Sequence, residues 1–242
     1  MTKQERIEKQ KQRLAEMKAP EAALHRQGFR YIAGVDEVGR GPLAGPVVTA
    51  AVVLPEDFDV LGVDDSKKLS EKRREELYNQ ILDKCVAWGI GMMDHKVIDE
   101  INILQATKAA MRQAIGNCDA MLAERCGGAA GTREASAHEN AAHESAARIE
   151  YVIFDAVKIE DLGRPQEAII KGDAKVLAIA AASIVAKVTR DRYMRRMAEE
   201  YPEYGFASHK GYGSGAHIEA LKKYGPCEIH RRSFIGGILL NE

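Results

Sequence analysis

Short apolar runs separated by polar segments predict a series of buried strands. The runs YIAGV (31–35), VVTAAVVL (47–54) and VAWGIGM (86–92) are short and mostly apolar, as buried strands are. YVIFD (151–155) has the same character, and AIIKGD (168–173) reads as a short strand or an extended segment. Because the early strands follow one another and the later ones alternate with helices, we expect an α/β fold with a mixed sheet rather than a fully parallel one.

Five segments carry residues at helical spacing. They are residues 2–28, the segment EKRREELYNQIL that Ser70 opens, residues 96–123, about 174–200 and about 216–224. In the first of them, apolar positions are thinly spaced among Lys, Arg, Glu and Gln. We therefore predict a polar helical extension over 1–28 that packs only lightly on the body of the protein or is partly disordered.

Residues 124–149 differ from the rest of the chain. They are rich in Ala, Gly, Ser, Glu and His and contain almost no large apolar residue. Such a segment cannot bury much surface, so we predict an exposed insertion. His138 and His143 are five residues apart, a poor fit to a metal-binding pair, and we expect them to be solvated loop histidines.

The composition is that of an ordinary globular chain. The 242 residues are 45% hydrophobic and 29% charged, which suits one large domain with a small appendage. No apolar run reaches the roughly 18 residues of a membrane span, and the charged N-terminal segment does not resemble a secretory signal. The four cysteines lack CxxC spacing, which argues against a zinc site or a disulfide framework and favours a cytoplasmic location.

Three of the strand-like runs end in carboxylates: Asp36 and Glu37, Asp155, and Asp173. Each has a local alternative, since Asp173 suits the N-cap of the next helix, Asp155 suits a turn, and one of the adjacent pair could face solvent. Together, however, four carboxylates in one crevice would repel one another unless cations neutralised them. Oxygen ligands without His or Cys favour Mg²⁺ or Mn²⁺, and a cluster that binds two such ions is typical of phosphodiester hydrolysis.

Positive charge is concentrated near the C-terminus. The chain has a net charge of −1, but residues 171–232 contain 12 Lys and Arg against 7 Asp and Glu. Ser183 and Lys187 are four residues apart, with Arg190 close to the same helix face, so we predict a stripe that contacts phosphates; a solvated helix face is the alternative. The segment 65–74 (DSKKLSEKRR) forms a second basic cluster, placed before a helix N-terminus that also favours phosphates.

Several long motifs resemble those of the ribonuclease HII family, the type 2 ribonucleases H. They are AGVDEVGRGPLAGPVVTAAVVL, DDSKKLSEKRR, INILQATKAAM, KGDAKVLAIAAASIVAKVTRDR and HKGYGSGAH, which occur in the family's order between about residues 30 and 218. The resemblance implies a ribonuclease H-like fold with a central mixed five-stranded sheet flanked by helices. It also implies a catalytic domain over 29–200 and a helical, substrate-binding subdomain over 201–242.

The resemblance also implies the site residues. The metal ligands for Mn²⁺ or Mg²⁺ would be Asp36, Glu37, Asp155 and Asp173. Asp155 is followed by Ala156, where the family usually has glycine, and Glu160 and Asp161 compete for its role. The implied substrate contacts are Gly39, Arg40 and Gly41 at the 2′-hydroxyl, Tyr212 on the sugar that follows the ribonucleotide, and Lys67, Ser183 and Lys187 at phosphates.

The implied reaction is hydrolysis on the 5′ side of a ribonucleotide, in RNA/DNA hybrids or in duplex DNA, leaving 3′-hydroxyl and 5′-phosphate ends. Such an enzyme removes misincorporated ribonucleotides and RNA primers. We expect a cytoplasmic monomer of type HII rather than HIII, because fewer than about 35 residues precede the first strand. The tail FIGGILLNE has no clear motif for binding a replication clamp. The alternatives are another ribonuclease H-fold nuclease, such as a resolvase or transposase-like enzyme, and a catalytically silent nucleic-acid binder.

Overall fold

A computed structural model describes residues 2–127 and 147–239 of the protein. Most of the predicted insertion, with His138 and His143, lies outside the described residues. Within them, no helix combines the length and the apolar character that crossing a membrane requires.

Five strands form one mixed sheet, which confirms the predicted fold class. The strands are β1 Ile32–Val38, β2 Val47–Val53, β3 Ala87–Met93, β4 Tyr151–Asp155 and β5 Gln166–Ile169. Their order across the sheet is β3-β2-β1-β4-β5. The pairs β1/β2 and β2/β3 are antiparallel, whereas β1/β4 and β4/β5 are parallel.

Seven α-helices surround the sheet in the described part of the chain. They are α1 Lys3–Arg26, α2 Glu71–Lys84, α3 His95–Gly127, α4 Leu177–Glu200, α5 Phe206–His209, α6 Gly215–Tyr224 and α7 Arg232–Leu239. Ser70 begins α2 as predicted, because its hydroxyl accepts a hydrogen bond from the Arg73 amide at 3.3 Å. The last four helices follow β5 in the chain, in the segment where Lys and Arg outnumber Asp and Glu.

The core has two main layers, one on each face of the sheet. All seven residues of β2 are buried, because α4 and α2 cover one face while α3 covers the other. On β1, a Cβ at Gly34 would lie 2.2 Å from the Ala178 carbonyl carbon. The absence of a side chain therefore lets α4 pass directly over β1, and this close approach brings the segment before α4 to the end of the strand.

The predicted N-terminal helix is present, but α1 packs more closely than expected. Met17, Glu21 and Leu24 are buried. The Glu21 carboxylate accepts a hydrogen bond from the Ala178 amide at 3.1 Å. The N-cap position of α4 is Val176, which has no side-chain acceptor, so a residue of α1 accepts from a buried N-terminal amide of α4 in its place.

This contact makes stability depend on pH. Burial raises the pKa of Glu21 from 4.5 to about 7, so the folded protein holds a proton that the unfolded chain releases. The free energy of unfolding therefore falls as pH rises through this window and does not recover above it. Because Glu21→Gln cannot ionise, we expect its stability relative to the wild type to increase by about 3 kcal/mol between pH 4 and pH 8.

Urea unfolding of both proteins at the two pH values measures this difference. Glu8→Gln, which changes an exposed glutamate of the same helix, serves as the control and should show no such change. If the free energies of unfolding of Glu21→Gln and the wild type differ by the same amount at both pH values, Glu21 does not have the raised pKa.

Candidate active site

Three of the four predicted acids converge on one point. Asp36, Asp155 and Asp173 each offer a carboxylate oxygen, and these oxygens all lie within 4.8 Å of one another. The parallel pairing of β1 and β4 aligns Val35 with Phe154, so the next residues of the two strands, Asp36 and Asp155, lie side by side. Asp173 arrives from the short 3₁₀ helix Gly172–Ala174, which follows β5.

Asp155 ends β4 as predicted, but the other acids do not end strands. β1 continues through Val38, so Asp36 and Glu37 lie inside it. Asp173 is part of a 3₁₀ helix and is not the N-cap of α4, a position that Val176 occupies. The local alternative for Asp173 was therefore wrong, because the chain makes an extra turn before α4 begins.

Glu37 lies next to the three converging acids but is not one of them. Its side chain is 13% exposed, so it is not an ordinary surface residue, and Arg40 Nη1 lies 3.4 Å from Oε1. Its second oxygen, Oε2, is buried and has no hydrogen-bond partner within the described residues. A buried, unsatisfied carboxylate oxygen suits a cation ligand, but the role of Glu37 as a metal ligand stays a prediction.

Asp155 is better placed than its two competitors. Its Oδ1 accepts a hydrogen bond from the Gly172 amide at 2.9 Å, which ties β4 to the segment that carries Asp173. Glu160 has an exposed carboxylate that pairs with Lys108 at 2.6 Å, and Asp161 is exposed. The geometry therefore favours Asp155 among the candidates.

The residue after Asp155 is strained. Ala156 has φ = 60°, in the left-handed region that favours glycine. This conformation costs an L-residue about 1–2 kcal/mol, part of which Ala recovers by restricting the unfolded chain. We expect Ala156→Gly to raise the free energy of unfolding by about 0.5–1 kcal/mol.

Chemical denaturation measures this change, and Ala147→Gly, at another non-helical position, provides a comparison that should not be stabilised. Destabilisation by Ala156→Gly would show that the methyl group contributes packing that outweighs the strain.

Burial and mutual repulsion dominate the electrostatics of the acids. Burial raises the pKa of Asp36 well above its ordinary value, and the charges of Glu37, Asp155 and Asp173 raise it further. Burial also raises the pKa of Asp173; Asp155 adds to this effect, and Lys67 opposes it. The pKa of Glu37 is raised by burial, against the attraction of Arg40. The group therefore combines oxygen-only donors with a deficit of positive charge, which fits a hard divalent cation.

Lys67 pairs with one of the three converging acids. Its Nζ lies 3.4 Å from Asp173 Oδ2, while its side chain is 79% exposed. Burial lowers the pKa of Lys67, but the charges of Asp173, Asp36 and Asp65 outweigh this effect and raise it overall. The ammonium group thus remains charged at the open edge of the site, where a phosphate could reach it.

The exposed basic stripe expected on α4 is absent. Ser183 is 3% exposed, its hydroxyl donates to the Ala180 carbonyl, and it accepts a bond from the Ser66 amide. Lys187 Nζ pairs with Asp191 at 2.9 Å, and Arg190 is fully buried. This face of α4 packs on the rest of the protein because it crosses β1. Phosphate contacts by Ser183 and Lys187 stay predictions.

The GRG segment and Tyr212 form one surface. Gly39 has φ = +93° and begins the turn between β1 and β2. A Cβ on Gly41 would lie 3.9 Å from the Tyr212 ring, and Tyr212 is 42% exposed. The Tyr212 carbonyl lies 2.9 Å from His217 Nδ1, and this contact holds the loop that carries Tyr212 against the buried His217.

The sequence did not single out the residues that support this surface. His217 and Arg231 are completely buried, and Arg231 binds the carbonyls of Gly39 and Arg40. His217 ends the HKGYGSGAH motif, and Arg231 lies in the basic C-terminal region. Neither signal predicts these contacts, since no periodicity marks a contact such as that between Arg231 and Gly39, which are 192 residues apart.

Comparison with known proteins shows similarity to one family over most of the chain. The family model described as Ribonuclease HII matches residues 33–126 and 128–236. Ribonuclease HII of Acetivibrio thermocellus is 49% identical over 229 residues, which cover 95% of this chain and 79% of the relative. The protein of the same name from Bacillus thuringiensis is also 49% identical, over 230 residues and with the same coverage.

Two solved structures are similar over most of the chain. Ribonuclease H2 from Pyrococcus horikoshii has a TM-score of 0.62 and 26% sequence identity, with 87% of this chain and 97% of that chain covered. Ribonuclease HII from Archaeoglobus fulgidus, solved in a complex with PCNA, has a TM-score of 0.60 and 26% identity, with coverage of 86% and 96%.

Proposed function

The chain belongs to the ribonuclease HII family, and from this premise we propose that it cleaves on the 5′ side of a ribonucleotide in duplex DNA as well as in RNA/DNA hybrids. Members of the family are metal-dependent ribonuclease H endonucleases that act on RNA/DNA hybrids. The observation that carries the finer proposal is the group Asp36, Asp155 and Asp173, whose carboxylate oxygens lie within 4.8 Å of one another, beside the turn that bears the GRG segment.

The acids would hold the metal ions. Asp36, Asp155 and Asp173 provide three convergent oxygens, and we assign Glu37 as the fourth ligand because of its unsatisfied buried oxygen. Two bound Mg²⁺ or Mn²⁺ ions would promote ionisation of water and stabilise negative charge on a leaving oxygen.

Residues of the chain arrange the substrate for this chemistry. Lys67 offers a positive charge to the phosphate beside Asp173, and we assign Ser183 and Lys187 to the neighbouring backbone. Attack of water on phosphorus, with departure of the 3′ oxygen, leaves a 3′-hydroxyl and a 5′-phosphate.

The turn and Tyr212 would read the sugar. The 2′-hydroxyl distinguishes RNA from DNA at a single nucleotide, and we propose that backbone groups of Gly39, Arg40 and Gly41 contact it. The exposed ring of Tyr212, next to Gly41, would pack on the following sugar.

We further propose that the enzyme works as a cytoplasmic monomer that removes misincorporated ribonucleotides and RNA primers. The Archaeoglobus fulgidus relative was solved with PCNA. The tail FIGGILLNE of this chain has no clear clamp-binding motif, so a replication clamp stays an open partner without support from the sequence.

The decisive experiment is cleavage of a DNA duplex that contains one ribonucleotide, with Mg²⁺ or Mn²⁺, and mapping of both new ends. We expect one cut on the 5′ side of the ribonucleotide and no cut in the all-DNA duplex. Cleavage of a branched DNA instead would identify a resolvase-like enzyme, and binding without metal-dependent turnover would identify a silent binder.

A further inference from the structure

Two arginines are fully buried beneath the turn between β1 and β2. Arg190, on α4, and Arg231, just before α7, are each 0% exposed. Throughout residues 2–127 and 147–239, neither guanidinium is paired with a carboxylate; each donates to three backbone carbonyls. A buried cation without a counter-ion is costly, and apolar side chains could fill the same space more cheaply.

Arg231 binds the GRG segment itself. Its Nη2 donates to the Gly39 carbonyl at 2.6 Å, and its Nη1 donates to the Arg40 carbonyl at 2.9 Å. Its Nε donates to the Gly45 carbonyl at 2.9 Å. One rigid fork therefore joins both ends of the turn, and lysine, with a single flexible ammonium group, could not reproduce this geometry.

Arg190 binds the other half of the turn. It donates to the carbonyls of Ala44, Pro46 and Lys210, at distances of 3.1, 2.9 and 2.9 Å. Its guanidinium carbon also lies 5.8 Å from the centroid of the Tyr212 ring. The turn and the loop that carries Tyr212 are thus held in register by the same side chain.

The bonds of Arg231 fix the direction of two amides. In a planar trans peptide, the carbonyl of one residue and the N–H of the next point in opposite directions. Because the Gly39 and Arg40 carbonyls point inward to Arg231, the amides of Arg40 and Gly41 point away from the interior. Neither amide donates to an acceptor in the described part of the chain, so both are free to donate to a ligand.

Both guanidinium groups remain charged at neutral pH. Burial lowers the pKa of Arg231 to about 9 and that of Arg190 to about 10. Arg190 and Arg231 therefore place two unpaired positive charges on the interior side of the Arg40 and Gly41 amides. Because the interior has a low dielectric constant, the field of these charges favours an electron-rich group that binds to the two amides.

We propose that Arg231 is a positioning residue for ribonucleotide recognition, whose fork aims the Arg40 and Gly41 amides at the 2′-hydroxyl. This inference rests on the proposed function and adds the residue that makes the GRG segment a rigid donor pair. A preorganised pair loses less entropy on binding than a mobile loop would.

The test compares Arg231→Lys, which keeps the charge but loses the fork, with Arg231→Met, which loses both. Dissociation constants are measured in EDTA, to prevent cleavage, for a duplex with one ribonucleotide and for the matched all-DNA duplex. For Arg231→Lys we expect the preference for the ribonucleotide to fall about ten-fold, as for the loss of one or two hydrogen bonds, with all-DNA affinity changed less than about two-fold. Arg231→Met should also weaken all-DNA binding.

Leu122→Ala provides a stability control, because Leu122 is buried against the other face of the sheet. It should lower thermal stability but leave the preference for a ribonucleotide unchanged. In steady-state cleavage, Arg231→Lys should raise KM more than it lowers kcat, since the amides contact the bound substrate as well as the transition state.

NMR of the wild type keeps the proposal testable if neither Arg231 variant folds. The Arg40 and Gly41 amide signals should shift more with the ribonucleotide duplex than with the all-DNA duplex. Equal shifts, or a folded Arg231→Lys with wild-type preference, would overturn the inference while leaving the proposed function intact. A wild type that does not cleave the ribonucleotide duplex would overturn the proposed function instead.

Discussion

Asp36→Asn and Asp173→Asn should each reduce cleavage by about 10³-fold or more, while the protein stays folded. Each substitution keeps the size of the side chain but removes a negative oxygen from the group of three. Without a full set of anionic ligands the site cannot hold the divalent ions that family members require. The measurement is single-turnover cleavage of the ribonucleotide duplex under Mg²⁺ and under Mn²⁺.

The same substitutions should stabilise the metal-free protein. Burial and neighbouring acids oppose ionisation of Asp36 and Asp173 and raise their pKa values, so a neutral amide relieves repulsion. In EDTA, we expect each variant to have a higher melting temperature than the wild type. Addition of Mn²⁺ should raise the melting temperature of each variant less than that of the wild type.

Asp119→Asn is a suitable control, because Asp119 pairs with Arg164 at 2.9 Å in another part of the molecule. It should keep full activity. Full activity of Asp36→Asn or Asp173→Asn with either metal would refute the ligand assignment.

The second large effect is expected at Asp155, the least secure ligand in the sequence. Asp155→Asn should also lose about 10³-fold in activity, whereas Glu160→Gln and Asp161→Asn should stay within about two-fold of the wild type. The reason is geometric: Asp155 lies beside Asp36 on the adjacent parallel strand, while Glu160 pairs with Lys108 at the surface.

The same single-turnover assay measures all three variants. An active Asp155→Asn together with an inactive Glu160→Gln or Asp161→Asn would show that the loop rearranges when metal binds. Circular dichroism and melting temperatures would establish that any loss of activity does not come from unfolding.

Much of the architecture was predictable because its signals are local. Apolar runs marked four of the five strands, and Ser70 marked the start of α2. The segment predicted over 168–173 overlaps β5 only at Ala168 and Ile169, because the chain leaves the sheet after Ile169. The long motifs that carry the ribonuclease HII resemblance are likewise contiguous in sequence, and the family comparison confirmed them.

The secondary-structure positions and the burial of individual site residues were less predictable. Asp36 lies inside β1 rather than beyond its end, and Asp173 lies in a 3₁₀ turn. Arg190, expected to face phosphates, is buried because α4 crosses the sheet at Gly34 and turns that helix face inward. The pattern of residues along a helix does not reveal which neighbour will cover a given face.

The sequence by itself determined the elements, the acidic and glycine-rich motifs and the family, because each depends on residues close together in the chain. Only the tertiary structure decided which distant residues meet. It placed Asp155 beside Asp36 through parallel strand pairing, Glu21 at the start of α4 across 157 residues, and Arg231 against the Gly39 carbonyl across 192. Such contacts follow from how whole elements pack, and no local period or spacing encodes them.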